Sequence, residues 1–258
     1  MGIYDRDYYR EPPTGRRWGN FSTASITTWL IVINVLVFIV DSVLPHHLIR
    51  LYVYKEPGPY YLWPAGPLKA WGYFSVIKAI TEFQLWRFIT FQFLHANLGH
   101  LFSNMLGLYF FGPIVESHFG ARRYVAFYLL CGCAGAVTYL LLLLACLLQG
   151  PGVPLVGASA GIFGVLVAGA MIAPNATVML LFPPIPLKFK YLALILVGYA
   201  MYIAFTNGEN AGGQAAHIGG AVLGFILMRY PFLLNPVARK SQRVRRRSRS
   251  SWSYDYDR

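Results

Sequence analysis

Apolar residues run in six blocks along the chain, separated by short stretches rich in glycine, proline, aromatic and basic residues. A helix that crosses a bilayer needs about 20 mostly apolar residues. Six segments approach that length: Ser25–Leu44, His95–Val115, Tyr124–Leu148, Gly157–Ala173, Leu192–Thr206 and Ala211–Tyr230. The fourth and fifth are short for a full crossing, which is allowed where protein or a water-filled cavity covers a helix end. The pattern predicts an all-α polytopic membrane protein, a bundle of six transmembrane helices. The long first connection, Pro45–Leu94, reads as amphipathic, with Trp63, Trp71 and Trp86 suited to a membrane interface.

Composition agrees. Of 258 residues, 56% are hydrophobic and 12% charged, against about 25% charged in an ordinary soluble domain. The net charge of +12 sits largely at the two ends. Such flanks suit anionic headgroups, so membrane lipid is the expected partner and nucleic acid is not. The chain divides into a basic N-terminal segment (1–24), a six-helix core (25–231) and a basic tail (232–258) expected to be disordered. Arg6, Arg10, Arg16 and Arg17, the loop pairs Arg122–Arg123 and Lys188/Lys190, and the residues from Arg229 onward share one side of a six-span topology. The loops Gln149–Val156 and Asn207–Asn210 carry no Lys or Arg. Both termini are therefore expected in the cytoplasm, although basic residues in Pro45–Leu94 run mildly against this. No short signal peptide with a cleavage site opens the chain, so the first apolar block is expected to be retained. Cys131, Cys133 and Cys146 all lie in one apolar run and read as small buried residues.

Polar groups at membrane depth are costly and point to function. Ser159 opens the fourth span within Gly157-Ala158-Ser159-Ala160-Gly161. His217 lies inside the sixth, on a face shared with Gly213, Gly220 and Gly224 at helical spacing. A matching surface of Gly157, Gly161 and Gly164 on the fourth span would let the two helices meet closely. A hydroxyl is a weak nucleophile until a base takes its proton, and imidazole suits that task. No Asp or Glu lies in either span, so a Ser159–His217 dyad is expected rather than a triad, with the Phe163 ring available to stack on the imidazole. His100 and Asn104 share one face of the second span and can donate to a developing oxyanion, together with free backbone amides at the start of the fourth. His95 lies one residue off that face and is expected nearer the surface in a supporting role; Asn97 reads as a cap. The i, i+5 spacing of His95 and His100 is poor for a metal, and neither metal nor cofactor is expected. A broken-helix transporter also fits the short glycine-rich spans, and on these residues alone that alternative stays open.

Together these motifs resemble the rhomboid intramembrane serine proteases over roughly Trp29 to Arg229. The resemblance rests on Trp86-Arg87, His95-x4-His100-x3-Asn104, Gly157-x-Ser159, Ala216-His217 with Gly220 and Gly224, the segment "GPIVESHFG", and "PPIPLKFKY". It implies a Ser159–His217 dyad in a water-filled cavity and an oxyanion site of His100, Asn104 and the Ser159 amide, supported by His95 and Gly157. It further implies a first loop lying partly in the outer leaflet, and single-span membrane proteins as substrates, entering between the second and fifth spans. The expected setting is a bacterial inner membrane. Two departures stand out: Ala160 follows the serine where glycine is commoner, and Phe163 stands where some members carry tyrosine. Neither removes a reactive group. A non-proteolytic relative that captures transmembrane helices is the second reading, against which the intact Ser159 and His217 argue.

Overall fold

Helix α1 (Ile26–Val43) begins where Ser25 Oγ accepts a hydrogen bond from the Thr28 amide, the side-chain cap that serines supply to orphan N-terminal donors. A second, distant cap closes the same turn. The Glu116 carboxylate accepts from the Ile26 and Thr27 amides at 2.7 and 2.9 Å and from Thr27 Oγ1 at 2.7 Å. The computed structural model describes residues 25–44, 50–53, 61–64, 66–148, 153–180 and 183–235. The expected N-terminal segment 1–24, the side chain of Trp63 and, of the expected tail 232–258, all but 232–235 lie outside the described residues. The tail's first residues instead form a 3-10 helix, Pro231–Leu234, with Leu234 buried.

Five further long helices follow: α4 (Leu98–Phe119), α5 (Ala121–Leu144), α6 (Ser159–Ile172), α7 (Phe189–Phe205) and α8 (Ala211–Arg229). Between α1 and α4 come an antiparallel hairpin, β1 (Arg50–Val53) with β2 (Tyr61–Pro64), and two short helices, α2 (Pro67–Gly72) and α3 (Arg87–Thr90). A second hairpin, β3 (Thr177–Met179) with β4 (Pro186–Lys188), joins α6 to α7. The protein is thus a mainly helical, multi-pass membrane bundle. Among the described residues, four helices (α1, α4, α5 and α8) are long and apolar enough to cross a bilayer, while α6 and α7 are shorter apolar helices.

The second span starts later than the hydrophobic pattern suggests. Asn97 Oδ1 accepts from the His100 amide at 2.8 Å and caps α4, which leaves His95 outside the helix. Gly120, at φ +75°, turns the chain directly into α5, so the third span begins three residues before Tyr124. Of the cysteines, Cys131 is buried as expected, Cys133 is half-buried, and Cys146, just past the end of α5, is exposed.

Helix α6 is the centre of the bundle, packed against α4, α5, α7 and α8. With 14 residues it rises about 21 Å, short of the ~30 Å hydrocarbon core of a bilayer. A helix of this length does not cross the hydrocarbon core by itself.

The expected glycine seam exists with one correction. A Cβ added at Gly220 would collide with the Ala160 carbonyl, and one at Gly224 would come within 2.6 Å of the Gly164 Cα. Gly161, however, meets the ring of Tyr128 on α5, with a built Cβ 2.8 Å from that side chain. Residues 161 and 164 lie only about 60° apart around the helix. A Cβ at Gly164 would meet Cys131 of α5 as well as the Gly220 carbonyl of α8, so one glycine row serves two neighbours. Without hydrophobic drive inside lipid, close packing of this kind is a main source of helix association.

Candidate active site

The site is built at the buried start of α6. Ser159 is its first residue, and Ala158 provides no side-chain cap, so the first amides have no intrahelical acceptor. The approach to Ser159 is held from outside the helix. Phe74 and Leu155 exchange backbone hydrogen bonds at 3.0 and 2.7 Å, and the Gly157 amide donates to the Phe91 carbonyl at 3.0 Å. Gly157 has φ +129°, and a side chain there would meet the His100 ring at 2.7 Å. Both the conformation and the close approach require glycine.

The first connection supplies this support because it is itself a folded unit. Arg87 donates to the Tyr73 and Ala70 carbonyls at 2.5 and 3.2 Å and to Gln84 Oε1 at 2.6 Å. Its guanidinium lies over the Tyr73 ring, 4.7 Å from the centroid. Trp71 and Trp86 stack at 5.6 Å and are largely exposed, consistent with rings that face a membrane interface.

Helices α6 and α8 then bring the two reactive groups together. His217 Nε2 lies 2.7 Å from Ser159 Oγ. The imidazole stacks on Phe163, with ring centroids 4.2 Å apart and planes 11° from parallel. A further partner was not anticipated: Gln214 Oε1 lies 2.9 Å from His217 Nδ1. An amide oxygen only accepts, so Nδ1 carries the proton and Nε2 is left to accept from the serine hydroxyl. Gln214 stands three residues before His217 on α8, a spacing that puts both on one face. That spacing is the signal the sequence carries, an inconspicuous one because an amide stands where triads carry an acid.

Helix α4 forms the facing wall. His100 Nδ1 accepts from the Ala96 amide at 3.4 Å, which leaves Nε2–H as a donor beside Gly157. Asn104 is buried one turn further on, and its Nδ2 has no acceptor among the described residues. His95 departs from expectation: it is fully buried rather than nearer the surface, and its ring meets His100 edge-to-face at 5.2 Å. Once Asn97 ends the helix, the extended segment before it folds inward and carries His95 with it.

Ser159, His217, His100 and Asn104 all line one cavity of about 1100 Å³. Its far wall includes Leu192 and Leu196 of α7 and Val178 and Met179 of β3. Phe111 of α4 stacks on Phe189 at the start of α7, with centroids 4.8 Å apart. The cavity thus extends between α4 and α7, the second and fifth spans. Chemically the arrangement holds a hydroxyl against a neutral base, beside a set of unpaired N–H donors, in a recess open enough for a peptide segment.

Known proteins align with this chain over its helical core. The family description Rhomboid domain matches residues 82–233, more than half of the chain. A RHOMBOID-like protein 12, mitochondrial, from Arabidopsis thaliana is 32% identical over 149 residues, covering 54% of this chain and 44% of that protein. The Rhomboid protease GluP of Bacillus subtilis is 31% identical over 146 residues, covering 57% of this chain and 26% of that protein. An Inactive RHOMBOID-like protein 8 from Arabidopsis is 33% identical over 145 residues, covering 53% of this chain and 37% of that protein. The chain spans less than half the length of each of these relatives. With a plant mitochondrial protein among them, the relatives do not support the expected bacterial inner membrane. Fold, motif order and family match agree: the chain belongs to the rhomboid family.

Proposed function

We propose that this protein is an intramembrane serine endopeptidase that cleaves single-span membrane proteins in or beside their transmembrane segments. The observation that carries the reading is the 2.7 Å contact between Ser159 Oγ and His217 Nε2 inside a cavity that can admit a peptide. In this reading His217 takes the serine proton as Oγ attacks the substrate carbonyl carbon. The Ser159 amide, His100 Nε2–H and Asn104 Nδ2–H receive the oxyanion, with Gly157 giving His100 its room and His95 backing its ring. The imidazolium returns its proton to the departing amine, and water then releases the acyl group by the reverse sequence.

The setting explains the depth of the serine. A helical substrate shields its peptide bonds, so it must unwind before attack, and a recess inside the bilayer gives the unwound segment polar partners. The route runs between α4 and α7, the core spans 25–231, and both termini face the cytoplasm, as the distribution of basic residues suggests.

One relative bears the word Inactive in its name, which favours a second reading: capture of transmembrane helices without cleavage. A single-span reporter reconstituted with the purified protein separates the two. Wild type cleaves it, and Ser159→Ala, still folded by circular dichroism, loses at least about a thousandfold in kcat/KM. Equal cleavage by Ser159→Ala would overturn the assignment, and binding without cleavage by wild type would establish the second reading.

A further inference from the structure

Among the described residues that line the cavity, Glu209 alone is an acid, and no Lys or Arg joins it. Glu209 lies just before Asn210, whose left-handed backbone (φ 59°) turns the chain into α8. Its side chain is exposed and has no ion-pair partner among the described residues. Cavities with low-dielectric walls focus the field of such a charge.

Its distance from the reactive pair can be set by helix geometry. From Asn210 to His217 the helix advances about 1.5 Å per residue, roughly 10 Å in all. An extended substrate advances about 3.3 Å per residue. A strand attacked beside His217 therefore passes Glu209 about three to five residues outward of the scissile bond.

Resting on the protease reading, we propose that Glu209 determines specificity: it selects membrane substrates carrying Lys or Arg about three to five residues outward of the cleaved bond. The selection discriminates because outer flanks of membrane proteins are poor in Lys and Arg. A solvent-accessible pair of this kind is worth a several-fold preference rather than an absolute one.

The test uses the full chain in phosphatidylcholine vesicles, whose zwitterionic surface does not itself recruit a cationic reporter. Three single-span reporters differ solely in having Lys, Gln or Glu four residues outward of the cleaved bond. The readout is the ratio of kcat/KM between Lys and Glu reporters in one preparation, so differences in folded fraction cancel. Wild type is expected to favour Lys by about five- to tenfold, shrinking in 0.5 M salt as screening sets in. Glu209→Gln brings the ratio to about one, and Glu209→Lys inverts it. A wild-type ratio within twofold of one, or a ratio unchanged in Glu209→Gln, overturns the inference while leaving the protease reading in place. Cleavage of no reporter by wild type overturns that reading, and the inference with it.

Discussion

Two polar regions inside this bundle are built on opposite plans. Where α1 meets α4 and the first loop, the carboxylates Glu116 and Asp41 are each met by donors or a cation, although Asn34 Oδ1 nearby has no donor among the described residues. Glu116 takes three donors from the start of α1. Asp41, 1% exposed, accepts from the Lys69 amide at 3.0 Å and pairs with Lys69 Nζ at 3.3 Å. Between α4, α6 and α8 the polar groups are instead left incomplete. Asn104 Nδ2 lacks an acceptor, the first amides of α6 have no cap, and all of them open on the cavity. Saturated polar groups hold helices together; unsaturated ones facing a recess are available to a ligand.

The sharpest way to break this comparison is to exchange the consequences of mutation. His217→Ala is expected to lower kcat/KM by about a thousandfold or more, while the thermal unfolding midpoint in detergent moves by only a few degrees. A large loss of stability in that variant would show that the seam is structural like the α1 side.

Asp41→Ala tests the converse. It strands Lys69 without its buried partner and is expected to cost about 3–5 kcal/mol of stability, read by chemical or thermal unfolding. The folded fraction keeps kcat within about threefold, since Asp41 touches no group of the cavity. A catalytic collapse with unchanged stability would erase the distinction.

Gln214→Ala gives the smallest effect. Losing the acceptor on His217 Nδ1 frees the imidazole to turn and change tautomer. Cleavage is expected to fall about tenfold in kcat, equivalent to about 1.4 kcal/mol, with KM little changed. An unaltered kcat would mean that stacking on Phe163 suffices to orient the ring.

Much of the site was legible before any coordinates. A serine among glycines at the head of a short span, a histidine on a glycine face, and the i, i+4 pair His100 and Asn104 all follow from helical periodicity. The stack on Phe163 followed from its place one turn past Ser159. What escaped was of three kinds, the first being Gln214, an amide standing where triads carry an acid. His95 was misplaced because Asn97 caps α4, and caps shift boundaries that hydrophobicity alone does not mark. Gly161 was assigned to the wrong neighbour because a row of small residues says that something approaches closely, not which helix does.

The chain's own order of residues determined the six apolar blocks, the faces within each helix and the chemistry available on those faces. These are local properties, set by 3.6 residues per turn and the cost of polar groups in lipid. Tertiary structure alone decided which faces meet. Glu116 reaches residues 89 and 90 positions away, Asp41 finds Lys69 across 28, and Ser159 finds His217 across 58. Periodicity carries no information about such pairings, because packing compares whole surfaces and settles on the arrangement with the closest fit and the fewest stranded donors.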